Sequence, residues 1–590
     1  MVSAAALVVA ALAGATETVL PANDPAAWIP LVFVEDSGVS ATEACAFTRT
    51  RDGTHDCLVI GPWIAGEWSA RWQGTRPLPA MTGTLRGRYR TESVLPMTVA
   101  AGVAWLRGRE KLGRDEVALE SAEAWTDFAV AIRRPPPGAD AVVPVAGLLE
   151  QTDGRAWFAD LVFSEDVSLV AFAATPLPSE RSAPPESFPP GKRFRLERSG
   201  DGWWLVTPAG RPFYSAGSDA PGFKTGAEGD ALAATLRAAG FNSLGGWSNV
   251  WAWGRLNDRR LARGETPFAA FVALETSDLK GCGYLSDPAS DQPPGDHAFP
   301  DPFDPAFPRV YAGLVADVAR AAAGKPWLAG WFIDNERDHD RLDRRVWSGH
   351  AGRAFRRAIR AKYRTTAALN AAWGASFGSF DAAARARPVA AIRRGALYED
   401  CRAFAHELVR RYADTCVAAI RAADPGALVF TNRFMMGGIG DTLGYLGEYG
   451  KCDGVAVNLY PANRTSGLSG NERAILSEIH RRTGKAVLIG EWSVPALDSG
   501  LYANPARLDW SYPEAVDTQV DRARQAACVT ADFHRLPFVV GAHWFTWRDV
   551  DSAKRQANRG LFRSNGEPWR ELLDALEAVH GRLAGVPPPP

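Results

Sequence analysis

Two glutamates close apolar runs that have the length and composition of buried strands. One run is Trp331-Phe332-Ile333-Asp334-Asn335-Glu336, the other Ala486-Val487-Leu488-Ile489-Gly490-Glu491-Trp492. In the first, the glutamate follows an asparagine. A parallel-barrel enzyme carries its catalytic groups at the C-terminal ends of its strands, where the loops open to substrate. Two carboxyls placed there, 155 residues apart in sequence, can face each other across a barrel mouth. The chemistry that needs such a pair is cleavage of a glycosidic bond: one carboxyl protonates the leaving oxygen, and the other attacks the sugar or activates water. A lone glutamate at a strand end is more often a salt-bridge or capping partner, so the surrounding elements must carry the reading.

Those elements alternate between strand-like and helix-like segments, the mark of a parallel α/β architecture. A hairpin of Trp203–Val206 and Pro212–Ala216, turning at Pro208-Ala209-Gly210, leads into a first strand, Phe213–Gly217. The helix Ala231–Ala239 and the strand Phe241–Leu244 follow. Further strands are expected at Phe268–Leu274, Pro326–Ile333, Leu428–Asn432, Gly454–Tyr460, Ala486–Gly490 and Phe538–Phe545. A stripe of Phe404, Leu408, Tyr412, Cys416 and Ile420 at four-residue spacing predicts a helix that stops before Pro425-Gly426. Eight such units in residues 191–585 predict a (β/α)8 barrel with enlarged loops, in which Glu336 ends the fourth strand and Glu491 the seventh. The alternative is a doubly wound sheet, but no glycine-rich phosphate loop follows any strand. Gly437-Gly438-Ile439-Gly440 lacks the spacing and reads as a flexible loop.

A chain of 590 residues is long enough for two domains. Residues 16–175 show strand-like pieces at Thr98–Trp105, Phe128–Ile132 and Ala156–Phe163 with weak helical periodicity, which predicts a β-sandwich. Its stretch Gly154–Leu161 resembles the closing strand of carbohydrate-binding jelly-roll modules; a purely structural sandwich is equally open. Prolines in residues 176–190 mark a linker, and residues 586–590 a proline tail. Residues 1–15 hold the apolar run Ala4–Leu12 followed by Ala13-Gly14-Ala15, the pattern of a secretory signal without its positive start. The run is too short to span a bilayer, so the expected location is secreted or periplasmic. A formal charge of -1 gives no electrostatic case for nucleic acid. Tryptophan is abundant, 21 copies against 5 methionines; indoles stack on sugar faces, although most individual copies belong to a core. Of seven dispersed cysteines, only Cys45 and Cys57 are close enough to suggest a local disulfide, which export would permit. The acidic-histidine run Asp334 to Asp340 could be imagined as a metal site but reads as solvated loop charge. No Cys/His cluster has zinc-site spacing, and neither a metal nor another cofactor is expected.

Four motifs in order resemble glycoside hydrolase family 50, the β-agarases, and more distantly the family 42 β-galactosidases. They are Gly240-Phe241-Asn242-Ser243-Leu244-Gly245-Gly246-Trp247-Ser248, Phe332 to Glu336, Glu491-Trp492 with Ala496-Leu497-Asp498-Ser499-Gly500, and His543-Trp544-Phe545. The resemblance covers most of the C-terminal two-thirds. It implies a clan A retaining enzyme with Glu336 as acid/base and Glu491 as nucleophile. In that mechanism the carboxyls stand roughly 5–5.5 Å apart, and repulsion with desolvation keeps Glu336 protonated. Two segments depart from the family pattern. Arg337-Asp338-His339-Asp340 replaces an apolar-Ser-Trp-Gly element, and Trp492-Ser493-Val494-Pro495 replaces Phe-His-Phe-Gly. Both line sugar subsites in the family, so catalysis transfers better than substrate identity.

Candidate substrate-binding groups sit at the same strand ends. Asn335 can donate its amide to the sugar 2-hydroxyl. Tyr460, after Asn458, is placed to hold the Glu491 rotamer. Trp544, Trp547 and Trp247 are stacking candidates, although strand alternation puts at least one in the core. Asn432, Arg433 and His543 are polar groups able to bind hydroxyls. The reading is a retaining β-glycoside hydrolase acting on agar-type galactan polysaccharide or oligosaccharide. Its rivals are an exo-β-galactosidase on small oligosaccharides and a silent carbohydrate-binding barrel. Endo or exo action depends on how the long loops Glu275–Pro305 and Arg337–Pro388 wall the cleft.

Overall fold

The computed structural model describes residues 17–20, 22, 28–33, 45–63, 67–74, 78–79, 83–94, 98–107, 110–132, 141–149, 152–164, 181, 184–277, 279–286, 297–388, 390, 395–436, 439–461, 467–502, 507 and 515–583. The chain divides into two units, Met1–Ala174 and Thr175–Pro590. The expected signal, residues 1–15, and the proline tail lie outside the described residues, as does most of the first half of the proline-rich stretch 176–190.

The first unit holds two six-stranded antiparallel sheets. One runs Thr126–Ile132, Gly83–Glu92, Arg155–Ser164, His55–Trp63, Cys45–Asp52, with Glu17–Leu20 also on Arg155–Ser164. The other runs Trp28–Phe33, Glu67–Gly74, Ala141–Leu148, Val99–Arg107, Glu110–Leu119, with Leu78–Pro79 on Ala141–Leu148. Alternate residues point to one face of a strand, and here Leu58, Ile60 and Phe158 from one sheet share a buried cluster with Trp72, Val103 and Val142 from the other. The suggested disulfide is absent: Cys45 and Cys57 are buried free thiols. The hairpin register sets Cys57 opposite Thr50 and Cys45 opposite Trp63. The remaining strand between them, at about 3.4 Å per residue, exceeds the reach of a disulfide.

The second unit opens with a hairpin of Arg195–Ser199, Gly202–Val206 and Pro212–Phe213. Nine parallel strand segments then form one curled sheet of the TIM type. Their spatial order is Val429–Phe430, Leu328–Phe332, Ala269–Ala273, Ser243–Leu244, Ser215–Ser218, Val539–Trp544, Val487–Trp492, Val455–Asn458, Phe434–Met435. The strand expected at Leu428–Asn432 is thus only Val429–Phe430, and a second short piece just beyond it, Phe434–Met435, stands at the opposite end of that order. Parallel bridges join Phe430 to Gly454 and Asn335 to Arg433. Parallel strands buried on both faces read as continuous apolar runs, and Phe271, Phe332, Phe430, Ala456, Leu488 and Val540 fill the space they enclose.

The helix over Ala396–Ala423 buries Phe404, Leu408, Tyr412, Cys416 and Ile420. Two expected loops differ. Arg337–Pro388 contains the helices Leu342–Arg345, Gly349–Tyr363, Thr366–Trp373 and Phe380–Ala386. Thr365 and Ser379 cap two of them by accepting from Ala368 and Ala382, which removes orphan donors at the helix starts. Ile439 and Gly440 open the helix Ile439–Tyr445, while Gly437-Gly438 lie outside the described residues. Among the described residues, no helix is long and apolar enough to cross a membrane.

Candidate active site

Strand Leu328–Phe332 delivers Asp334, Asn335 and Glu336 to the carboxyl end of the parallel sheet. Asp334 is fully buried. Its carboxylate accepts from Thr276 N at 3.1 Å, Thr276 Oγ1 at 2.5 Å, Asn335 N at 2.9 Å and Tyr412 Oη at 2.8 Å. Arg337 is buried beside it, donating to the carbonyls of Asn335 and Ala298 and to Glu275 at 2.8–3.0 Å. His339 is buried against Tyr449 Oη at 2.7 Å, and burial pushes its imidazole down to about 4. The run Asp334 to Asp340 is therefore not solvated loop charge. Asp334, Asn335, Arg337 and His339 are buried and only Asp340 is exposed, because distant partners satisfy each inward polar group. The result is a rigid base for Glu336, whose own backbone takes the left-handed conformation at φ +51°. Such a backbone costs a non-glycine residue about 1–3 kcal/mol, and strain of this kind clusters at functional sites. Glu336 N donates to Arg433 O at 3.2 Å.

The two glutamates have different surroundings. Glu336 Oε1 accepts from Asn458 Nδ2 at 2.7 Å, and His297 Nδ1 stands 3.8 Å from Oε2. Burial, and then the charge of Glu491, push the Glu336 carboxyl above its ordinary range; the Asn458 hydrogen bond opposes them. Glu491 sits in a cradle of donors. Trp247 Nε1 lies 2.7 Å from Oε1, Arg433 Nη1 3.0 Å from the same oxygen, and Tyr460 Oη 2.5 Å from Oε2. Asn458 links the two carboxyls. Its backbone pairs with Glu491 on the adjacent strand, while its amide reaches Glu336 and, at 3.1 Å, Asn335 Oδ1. That bond occupies the Asn335 oxygen and leaves its amide nitrogen for a ligand.

Of the sequence candidates, the structure brings Glu336, Glu491, Asn335, Asn458, Tyr460, Arg433 and Trp247 together. Arg433 is wholly buried and serves Glu491, with its guanidinium 4.6 Å from the Trp247 ring centroid. Trp247 is 38% exposed, so one indole face is open. The other candidates stand elsewhere. Asn432 is buried, donating to Tyr449 Oη and accepting from Arg337 N, and so braces the Glu336 loop. His543 is buried against Ser215 Oγ at 2.9 Å and the Phe271 ring; burial holds it neutral, at about 3. Trp544 is 0% exposed, donates to Arg559 O at 2.9 Å and packs edge-on against Trp492. It belongs to the core and cannot stack on a sugar. Trp547 is nearly buried and stacks on Phe562 at 4.5 Å. Sequence reasoning missed His297 and Asp219. Asp219 follows the strand Ser215–Ser218 directly, so the strand-end rule applied to every strand would have found it. Among the described residues no group of His, Cys, Asp or Glu could hold a metal ion.

The chain has parallels in sequence and in fold. The family model of the family 42 glycoside hydrolases, described as β-galactosidase, matches residues 295–525. β-Agarase A of Vibrio sp. (strain JT0107) is 24% identical over 380 residues, covering 59% of this chain and 35% of the relative. β-Agarase B of the same organism is 23% identical over 297 residues, covering 47% of this chain and 30% of the relative. The chain thus spans about a third of the length of these curated relatives. The solved structure of an exo-β-agarase aligns over 94% of this chain and 98% of its own, with a TM-score of 0.56 at 15% identity. At that identity the likeness is one of fold.

Proposed function

We propose that the chain is a retaining β-glycoside hydrolase acting on galactose-containing, agar-type chains, with Glu491 as nucleophile and Glu336 as acid/base. The observation that carries this is the unlike environment of two strand-end carboxyls linked through one asparagine. Environments that push two titratable groups apart assign acid and base roles. Three polar groups around Glu491 suit a carboxylate, and burial beside that charge shifts Glu336 toward its protonated form. A Glu491 oxygen attacks the anomeric carbon as the glycosidic C–O bond breaks, and the leaving oxygen takes the Glu336 proton. The Glu336 carboxylate then removes a proton from water, which attacks the same carbon and frees Glu491. Asn335 is placed to donate to the 2-hydroxyl in both steps, and the open face of Trp247 to stack on a pyranose.

The matches to β-agarases and to the β-galactosidase model support a galactose-type substrate, and the second favours exo action on small oligosaccharides as the alternative. The proposed organisation is a signal at 1–15, a jelly-roll-like sandwich at 16–175, a linker at 176–190, a closed (β/α)8 catalytic barrel at 191–585 and a tail at 586–590, in a secreted or periplasmic enzyme. A hydrolysis screen on agarose, porphyran, carrageenans and aryl β-galactosides, with product sizing, tests the function. Turnover of agarose or its oligosaccharides supports the agar reading, and turnover of aryl β-galactosides alone supports the exo-galactosidase. Absence of any hydrolysis refutes the enzyme.

A further inference from the structure

A third carboxyl lies beside the pair. Asp219 follows the strand Ser215–Ser218, is 4% exposed, and accepts from Trp247 N at 3.0 Å through Oδ1. That is the residue whose indole reaches Glu491. The chain makes room for these groups with glycine. A Cβ on Gly245 would stand 2.4 Å from Asp219 Oδ1, and one on Gly490 2.5 Å from Arg433 Cδ. Both are closer than real Cβ atoms approach. Further bonds tie the two strand-end turns together: Gly245 N to Ser218 O at 2.9 Å, and Ala220 N to Ser248 Oγ at 3.0 Å. Arg433 matters here as well. Its guanidinium is fully buried, and among the described residues Nε, Nη1 and Nη2 have no hydrogen-bond partner and the ion-pair partner is Glu491, 3.0 Å from Nη1. Esterification of Glu491 in the glycosyl-enzyme removes that partner's charge.

We propose that Asp219 is a positioning residue for the nucleophile: it holds the turn that brings the Trp247 indole to Glu491, and it is the reserve carboxyl facing Arg433 while Glu491 is esterified. The charged groups facing Asp219 are Glu491 and Arg433, and burial with the Glu491 charge raises it to about 7. Asp219 is therefore protonated below neutral pH in the free enzyme. Loss of the Glu491 charge in the intermediate favours release of its proton. The inference rests on the glycosidase reading above and assigns a residue that reading does not need.

The test compares Asp219→Asn and Asp219→Ala with wild type on 4-nitrophenyl β-galactoside and agarose oligosaccharides, from about pH 5 to pH 9, with thermal unfolding alongside. Asp219→Ala loses the Trp247 anchor, so kcat should fall about ten- to a hundredfold, the worth of a hydrogen bond to a charged group, with little change in KM. Asp219→Asn keeps an acceptor of the same shape but cannot ionise. Its kcat should approach wild type at the acidic end, where Asp219 stays protonated throughout, and fall behind as the pH rises, so that the ratio of the two depends on pH. A purely structural role predicts a constant ratio and equal losses of melting temperature in both variants; that result, or wild-type kcat in Asp219→Ala, overturns the proposal. If Asp219→Ala fails to fold, the pH dependence of the isosteric Asn variant decides. A wild type that hydrolyses neither substrate overturns the glycosidase reading itself, and this inference with it.

Discussion

Trp247 offers the sharpest test, because two of its contacts can be removed separately. Trp247→Phe deletes the indole N–H that lies 2.7 Å from Glu491 Oε1, but leaves an aromatic ring beside Arg433 and open to the cleft. A hydrogen bond to a charged group contributes about 1.5–3 kcal/mol, so kcat should fall about ten- to 150-fold while KM stays near wild type. Trp247→Ala also deletes the apolar platform. Contact of a sugar face with that ring is worth roughly 1–3 kcal/mol by area, so KM should rise by about one to two decades on top of the loss in kcat. Stability separates both from a folding defect. Trp247 is 38% exposed, whereas Trp544 is fully buried. Trp544→Ala opens a core cavity costing about 3–5 kcal/mol and should melt early, while both Trp247 variants melt near wild type. Steady-state kinetics and thermal unfolding on the three variants make the measurement. Wild-type kcat in Trp247→Phe, or a melting loss in Trp247→Ala as large as that of Trp544→Ala, would refute the reasoning.

Four further outcomes are expected. Glu336→Gln and Glu491→Gln should each lose several orders of magnitude in kcat with the fold intact, because binding does not replace a lost nucleophile or proton donor; wild-type-like turnover in either would sink the assignment. Proton NMR of early products should show the β anomer first, and initial α product would mean inversion and a wider carboxyl separation. The alkaline limb of kcat/KM should lie above the ordinary carboxylate range, since Glu336 is raised and activity is lost as pH rises through its ionisation. Asn458→Ala removes a hydrogen bond that favours the ionised form, so it should move that limb to higher pH; an unmoved or lowered limb would mean that Asn458 does not serve Glu336.

Much of the scaffold was legible because parallel strands are apolar on both faces and end abruptly in polar residues. The same property hid the phase of each strand. Nothing in His543-Trp544-Phe545 says which side chain enters the barrel, and the structure sends Trp544 to the layer holding Arg522 and Trp492. Tyr460 was legible as the Glu491 partner, since both end adjacent strands. Arg433 was not, because its contact needs Gly490 to leave space. The charged run after Asn335 misled for a related reason. Its neutralising partners Thr276, Glu275, Tyr412 and Tyr449 lie far away in sequence, and a one-dimensional pattern carries no trace of them.

The position of Trp247 has one more consequence, for substrate length. The residue presents an open indole face and, through the same ring, a hydrogen bond to Glu491, the proposed nucleophile. A sugar stacked on it would restrict the ring and so fix Glu491 against the anomeric carbon. Binding energy from a part of the substrate that does not react then appears in kcat as well as in KM. Wild type should therefore turn over agarose oligosaccharides with a higher kcat than an aryl β-galactoside too small to cover Trp247. In Trp247→Phe the ring remains but its link to Glu491 is gone, so lengthening the substrate should still lower KM while kcat becomes nearly independent of length. Kinetics across a ladder of oligosaccharides reads both parameters. A kcat that rises with length as steeply in Trp247→Phe as in wild type would show that stacking and nucleophile placement are separate, and that the indole hydrogen bond does not connect them.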